Sequence, residues 1–298
     1  MIKHRPLLLT ILILLCLCLL SCNTEPPQRT QDTDSSVGSF SFRGRRFSYQ
    51  GEEGAFVYTE DVLTICRGGV YVLSGRLDEG RIRICADSTV TFLLDGAELH
   101  SSYGAVISVE DGGDLVIEAK EGTVNLITCN KYSADSSISP AACISSSGRI
   151  RFCGVGRTVV DTDADCGVAA LGRVTVDGAE LFVNAQKYGV FARDRFVFLS
   201  GKLTVYHADV GIFADAREGS EGTVEIRGGT LTAVCNDTAL WAGRSVLISG
   251  GKADIDAPVI YRCETVSGDT VKSGEIKVTC DGYPEPNQDF KPKTNKNP

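Results

Sequence analysis

A segment of 22 residues that recurs along the chain is the feature that most limits how this protein can fold. It reads RVTVDGAELFVNAQKYGVFARD at 173–194, RFVFLSGKLTVYHADVGIFADA at 195–216 and TVEIRGGTLTAVCNDTALWAGR at 223–244. Each copy has an alternating apolar strand, a glycine turn, a second alternating strand, a polar step and a third short strand. Such a unit cannot bury its own apolar face, so it is typical of one coil of a solenoid, in which neighbouring coils complete the core.

The register between the copies predicts which side chains stack on one another. One core column contains Val176, Phe198, Ile226 and Ile248, and a second contains Leu181, Leu203, Leu231 and Ala253. Apolar residues alternate with a period of two, and the spacing typical of helices is absent after the N-terminal segment. The sequence therefore predicts an all-β protein, a parallel β-helix with about 22 residues per coil.

The chain begins with the composition of a signal peptide. Lys3 and Arg5 precede an apolar run at 6–20, which is short for a membrane-spanning helix. The ending at 19–22, Leu-Leu-Ser-Cys, resembles the lipobox of bacterial lipoproteins, which implies cleavage before Cys22 and lipidation of that residue, with palmitate among the expected acyl chains. An ordinary signal peptide with a chance cysteine is the alternative. We expect an exported lipoprotein at the outer membrane or cell surface, with a periplasm-facing orientation left open.

Composition divides the chain into five segments. These are a signal peptide at 1–21, a disordered tether at 22–39, N-terminal cap strands at 40–62, the β-helix at 63–280 and a disordered tail at 281–298. The tether is rich in Pro, Gln, Ser, Thr and Asp, and such segments cannot bury enough apolar surface to fold. A cap is expected because the open end of a solenoid exposes a sheet edge and apolar core.

The formal net charge of −8 argues against a nucleic-acid partner, since binding to a phosphate backbone needs clustered Lys and Arg. It is compatible with neutral glycans, with cations, or with polyanions bridged by a divalent metal. The sequence makes no prediction about oligomeric state.

Nine cysteines follow Cys22. Their odd number and the lack of close pairs favour free thiols in the core, where cysteine packs as a small apolar residue. One or two disulfides remain an alternative in an exported protein. The spacings of a zinc site are missing.

Four segments resemble successive coils of a known family. They read GVYVLSGRL at 69–77, VTFLLDGAELHSS at 90–102, LVIEAKEGTVNLIT at 115–128 and AACISSSGRIRFCGVGRTVV at 141–160. Together they resemble a bacterial secreted family named as a carbohydrate-binding domain. The resemblance implies a right-handed, single-stranded, pectin-lyase-like solenoid that binds plant-type polysaccharide such as cellulose or polygalacturonate, with calcium sites and no demonstrated lyase turnover.

Acidic turns before the third strand are candidates for calcium. One column is predicted to contain Asp165, Lys187, Asp209, Asp237 and Asp256. Carboxylates about 4.8 Å apart repel one another unless a cation neutralises them, and both calcium and the Lys187 ammonium could do so. The predicted calcium ligands are Asp161, Asp163, Asp165, Asp209 and Asp237. Solvent-facing turn aspartates without metal are the alternative, and these turns lack the acid that the family carries beside the glycine.

The predicted glycan contacts are Tyr103, Tyr188, Lys187 and Trp241. Tyr103 and Tyr188 are interpreted as occupying equivalent turns. Trp241 is interpreted either as a surface ring that contacts the glycan or as a residue of the core. The favoured function is a membrane-anchored, non-catalytic module that binds polysaccharide, with no catalytic residue assigned. One alternative is a calcium-dependent polysaccharide lyase, with Lys187, Arg193 or Arg195 near the carboxylates as the base. The other is a structural or adhesive solenoid without a glycan ligand.

Overall fold

The computed structural model describes residues 37–130, 140–217, 219–267 and 270–286, and there the regular elements are all strands. They are β1 (Gly38–Gly44), β2 (Arg46–Gly51), β3 (Phe56–Thr59), β4 (Val62–Ile65), β5 (Gly69–Leu77), β6 (Arg81–Ile84), β7 (Val90–Ser101), β8 (Ile107–Val109), β9 (Leu115–Ala119), β10 (Val124–Cys129), β11 (Ala142–Ser146), β12 (Ile150–Cys153), β13 (Arg157–Thr162), β14 (Cys166–Ala170), β15 (Arg173–Asn184), β16 (Tyr188–Ala192), β17 (Arg195–Ala214), β18 (Thr223–Ile226), β19 (Thr230–Ala242), β20 (Ser245–Ile248), β21 (Lys252–Asp256), β22 (Val259–Ser267), β23 (Thr270–Ser273) and β24 (Glu275–Val278).

Parallel pairing between strands one coil apart forms three ladders. The first ladder joins the first halves of β5 and β7 to β9, β12, and the starts of β15 and β17, then to β18, β20 and β24. The second ladder joins the ends of β5 and β7 to β10, β13, the end of β15, the middle of β17, the start of β19 and β21. The third ladder joins β4, β6, β8, β11, β14, β16, the ends of β17 and β19, and β22. The predicted parallel solenoid is therefore confirmed.

The length of a coil varies along the chain. In the first ladder Arg173 pairs with Arg195, 22 residues later, and Arg195 pairs with Thr223, 28 residues later. Thr223 then pairs with Ser245 after 22 residues, and Ser245 with Glu275 after 30. The ladders keep their register because the additional residues leave at the corners between strands.

Both predicted core columns form. Val176 pairs with Phe198, Phe198 with Ile226, and Ile226 with Ile248; all four side chains are at most 2% exposed. The second column aligns Leu181, Leu203, Leu231 and Ala253 as predicted. Stacking of equivalent residues on successive coils thus builds one continuous apolar core.

The N-terminal end of the core is covered by β1 to β4. β1 pairs in parallel with β5 and antiparallel with β2, and β3 and β4 form a hairpin. An aromatic cluster fills this end: the ring centre of Phe40 lies 5.5 Å from Phe47, 4.7 Å from Tyr49 and 5.1 Å from Phe56. The contacts between large apolar rings shield the first coil from water.

The nine cysteines from Cys66 to Cys280 are all free thiols, and six of them are buried. Burial raises the pKa of Cys235 to about 12, so this thiol stays neutral and packs as an apolar side chain. The odd number of cysteines and the lack of close pairs in the sequence favour this arrangement.

Several predictions concern residues that the structure does not describe. The signal peptide at 1–21, Cys22, the tether up to residue 36 and the tail beyond residue 286 lie outside the described residues. Within the described ranges, no helix has the length and apolar character needed to cross a membrane.

Candidate functional site

A polar groove of about 560 Å³ lies at the corner between the second and third ladders. We call it the corner groove, and it is lined by Thr162, Asp163, Asp165, Asn184, Ala185, Gln186, Lys187, His207, Asp209 and Asn236. These residues come from four consecutive coils. Because strands in a sheet lie about 4.8 Å apart, the groove extends roughly 14 Å along the solenoid axis.

Hydrogen bonds between coils set the position of these corner residues. The backbone N–H of Lys187 donates to the carbonyl of Asp165 at 2.9 Å, and that of Val210 donates to the carbonyl of Lys187 at 2.8 Å. The N–H of Asp209 likewise donates to the carbonyl of Gln186 at 3.2 Å. Since the backbone groups bond to neighbouring coils, the side chains are the groups left free to contact a ligand.

The groove has an excess of negative charge. It holds the carboxylates of Asp163, Asp165 and Asp209 and the single ammonium group of Lys187. Four members of the predicted column align, with Lys187 between Asp165 and Asp209 and with Asp237 on the next coil. Lys187 therefore reduces the repulsion between its neighbours, as one of the two sequence interpretations required.

His207 adds a ring that the sequence interpretation did not assign to a site. Its φ is 62°, a left-handed conformation that is uncommon for residues other than glycine. Its carbonyl accepts a hydrogen bond from Asn236 Nδ2 at 3.2 Å, and its ring centre lies 4.1 Å from that of Tyr206. Tyr206 and His207 are both exposed, and His207 lines the groove.

A row of aromatic side chains lies beside the groove, on the outer face of the third ladder. We call Tyr188, Phe213 and Trp241 the aromatic row. The ring centres of Tyr188 and Phe213 are 5.3 Å apart and nearly parallel, and those of Phe213 and Trp241 are 4.7 Å apart. Lys187 Nζ lies 5.1 Å from the Tyr188 ring centre, so this residue joins the groove to the row.

Arg262 ends the aromatic row. Its guanidinium carbon lies 4.8 Å from the Trp241 ring centre, a cation–π geometry. Asp237 fixes the guanidinium through hydrogen bonds of 3.1 and 3.5 Å, and Trp241 Nε1 donates to the carbonyl of Glu264 at 3.4 Å. Trp241 is thus held in one orientation with its ring half-exposed.

Burial raises the pKa of Tyr188, with the Lys187 ammonium acting in the opposite direction. The hydroxyl therefore stays protonated in neutral solution and is able to donate a hydrogen bond. Phe213, between Tyr188 and Trp241, was missed by sequence reasoning. Its outward position follows only from the alternation within β17, where Ile212 and Ala214 point into the core.

The structure brings together most of the predicted site residues. Asp163, Asp165, Asp209 and Lys187 line the corner groove, and Tyr188 and Trp241 belong to the aromatic row. Asp161 lies next to the groove, where it accepts a hydrogen bond from Asn184 Nδ2 at 2.7 Å.

Two positions differ from the sequence alignment. Tyr103 is 74% exposed but is not equivalent to Tyr188, which aligns with Cys166 in the third ladder. Asp256 was placed in the acidic column, and this is wrong: it pairs with Val234 in the second ladder. The corner before β22 differs in length from the earlier corners. A sequence alignment that assumes equal corners therefore places the residues of the last coil at the wrong positions.

Calcium binding by the predicted ligands stays a prediction, because these side chains are divided among separate contacts. In the described part of the chain, no three His, Cys, Asp or Glu side chains are arranged to hold a metal ion. Asp161 is bonded to Asn184 and Asp237 to Arg262, and Lys187 separates Asp165 from Asp209.

The geometry can be compared with known proteins. A family model described as "Carbohydrate-binding domain-containing protein" matches residues 59–282. The chain belongs to this carbohydrate-binding family. The match covers the ladders, the corner groove and the aromatic row together.

A solved structure shares the fold of this carbohydrate-binding family member. It is a polysaccharide lyase-like protein from C. thermocellum, in a gadolinium derivative, with a TM-score of 0.73. The two chains are 21% identical, and the alignment covers 82% of this chain and 98% of the other. A search of curated proteins finds no match.

Proposed function

We propose that the protein is a non-catalytic module that binds a neutral polysaccharide across the corner groove and the aromatic row. The observation that supports this most directly is that the two surfaces meet at adjacent residues, Lys187 and Tyr188. The groove offers amide and carboxylate groups suited to sugar hydroxyls. The row offers half-exposed aromatic side chains whose apolar edges the C–H groups of a sugar ring can contact.

The charge of the groove favours a neutral glycan, such as a cellulose-type chain, over polygalacturonate. Three carboxylates and one ammonium group repel a ligand that carries its own carboxylates. A divalent cation could bridge such a ligand, but the described residues hold no group arranged for one. We therefore propose binding that is independent of calcium.

Replacing Gln186 with alanine should weaken binding of a cello-oligosaccharide roughly threefold to tenfold, because one exposed hydrogen-bonding group is lost. The backbone bond from Gln186 N–H to the carbonyl of Ala164, at 3.2 Å, does not involve the side chain and should persist. Isothermal titration calorimetry on the full chain measures the change. Gln50→Ala is the matched control, since Gln50 is exposed on β2 at the N-terminal end.

The same titration separates the alternative functions. Oligogalacturonate should bind more weakly than the cello-oligosaccharide, and a chelator should change neither result. Tighter, chelator-sensitive binding of oligogalacturonate would contradict the proposed ligand. Unsaturated product from oligogalacturonate would favour a lyase, and absence of binding to either glycan would favour a structural or adhesive protein.

We further propose that the module is held at the outer membrane or cell surface by lipid on Cys22, from the lipobox resemblance at 19–22. When the full chain is made in bacteria fed labelled palmitate, the label should enter the protein and fractionate with membranes. Cys22→Ala should abolish both results, because the thiol is the acceptor. Label retained by Cys22→Ala would refute this anchor, and Cys66→Ala, an exposed thiol in the solenoid, is the control.

A further inference from the structure

The corner between the third and first ladders carries a cluster of arginines. Arg193 follows the end of β16, and Arg195 begins β17 two residues later. Arg173 begins β15 and pairs with Arg195 in the first ladder, so their backbones lie about 4.8 Å apart. We call these three residues the arginine corner. It lies across the third ladder from the corner groove.

The arginine corner has unsatisfied hydrogen-bond donors. The Nε atoms of Arg173, Arg193 and Arg195 are each buried and have no hydrogen-bond partner. Buried polar groups are satisfied in nearly all native proteins, so each exception requires an explanation such as an unseen ion. Three of the four such arginine donors in the described chain therefore lie on two neighbouring coils, which concentrates unsatisfied positive groups at this corner.

Arginines on neighbouring strands are paired with carboxylates. Arg151 pairs with Asp177 at 2.7 Å, and Arg157 pairs with Glu180 at 2.6 Å. Neither Arg173 nor Arg193 has a carboxylate within 4.0 Å among the described residues.

The acids near the arginine corner are already bonded. Arg195 uses its terminal nitrogens for Glu221 and Glu225. The carboxylate of Asp194 accepts a hydrogen bond from the backbone N–H of Glu221 at 2.9 Å. Arg173 and Arg193 therefore contribute two positive charges that no ion pair offsets, on a chain whose formal net charge is −8.

We propose that the arginine corner binds one oxyanion group: a sulfate, phosphate or carboxylate. Guanidinium presents a planar fork of donors that matches two oxygens of such a group, and it is more weakly hydrated than an ammonium. Arg173 and Arg193 would contact the anion through their terminal guanidinium nitrogens, and Arg195, fixed by its two glutamates, would add positive charge beside them. This site is separate from the proposed neutral-glycan site, and neither needs the other.

The test is calorimetric titration of the full chain with inorganic sulfate and inorganic phosphate. The wild-type chain should give saturable heat, and the double variant Arg173→Ala with Arg193→Ala should lose it. The matched control, Arg43→Ala with Arg46→Ala, removes two arginines near the N-terminal end and should bind as wild type does. Equal binding by the two double variants, or no binding of either anion by wild type, overturns the proposal.

A second variant tests whether a loss of anion binding could result from misfolding. Arg173→Lys with Arg193→Lys keeps both charges but removes the planar fork, so affinity should fall to an intermediate value while the thermal melting temperature stays unchanged. Unchanged affinity in this lysine variant would also count against the proposal.

The source of the anion is resolved by two oligosaccharides of equal length, one sulfated and one neutral. If the group is carried by a glycan, the sulfated form should bind more tightly than inorganic sulfate, and only that gain should disappear in the alanine variant. If it is a free ion, sulfated glycan and inorganic sulfate should bind equally. If the wild-type chain binds the anions but not the neutral oligosaccharide, the proposed function is refuted and the anion site at the arginine corner is supported.

Discussion

Replacing Asn125 with leucine should lower the free energy of unfolding by about 4 kcal/mol, because three backbone groups, one buried and two part-buried, would lose their partner. Asn125 is 0% exposed within β10. Its Oδ1 accepts hydrogen bonds from the N–H groups of Gly96 and Ala97, each at 2.9 Å. Its Nδ2 donates to Thr123 Oγ1 at 3.0 Å and to the carbonyl of Arg157 at 3.1 Å. Urea denaturation of the full chain measures the difference.

Asn130→Leu is the matched control for this prediction, since Asn130 is exposed just after the same strand. It should change stability by less than about 0.5 kcal/mol. If the two variants unfold at the same urea concentration, the hydrogen bonds of Asn125 do not stabilise the fold as argued. The bonds join coils on both sides of β10, so we also expect the loss to reduce the cooperativity of unfolding.

Removing two rings of the aromatic row should reduce affinity for a cello-oligosaccharide by roughly 100-fold. Aromatic anchors at the centre of a binding surface typically contribute 2 kcal/mol or more, and about 1.4 kcal/mol corresponds to tenfold in affinity. The variant is Tyr188→Ala with Phe213→Ala, which removes the stacked pair at 5.3 Å and leaves Trp241 in place. Calorimetry with the full chain measures the affinity.

The control for this variant must lose a similar amount of aromatic packing. Phe47→Ala with Phe56→Ala removes two half-buried rings, 5.7 Å apart, from the N-terminal cluster. Both double variants should melt at lower temperatures than wild type, but only the first should lose glycan affinity. Glycan binding that falls equally in both would show that stability, not the aromatic row, causes the loss.

The solenoid core is the part of the structure that sequence reasoning predicts best. In a ladder, equivalent residues of successive copies lie on one another, so aligning the copies also aligns the side chains. This is why the column from Val176 to Ile248 could be named in advance. The prediction weakens where the repeat length changes, as at Asp256, because a shift in one corner moves every later residue.

The candidate site was predicted only in part. Acidic turns and the exposed Lys187 are visible in sequence, since polar residues at a turn stand out against apolar strands. Phe213 resembles a core residue because it sits in an apolar strand. Asn125 could not be found because its partners at Gly96 and Ala97 belong to the previous coil, and the pairing of a side chain with a distant backbone leaves no periodic pattern.

The corner groove has a consequence for how such a protein could change its binding range over evolution. Successive coils supply its residues, as Asp165, Lys187 and Asp209 do one after another. A tandem duplication of a single coil would therefore lengthen the binding surface by one step while leaving every existing contact in place. In this architecture the length of the binding site is set by the number of coils in the domain. In most folds a longer site requires a change in the loops.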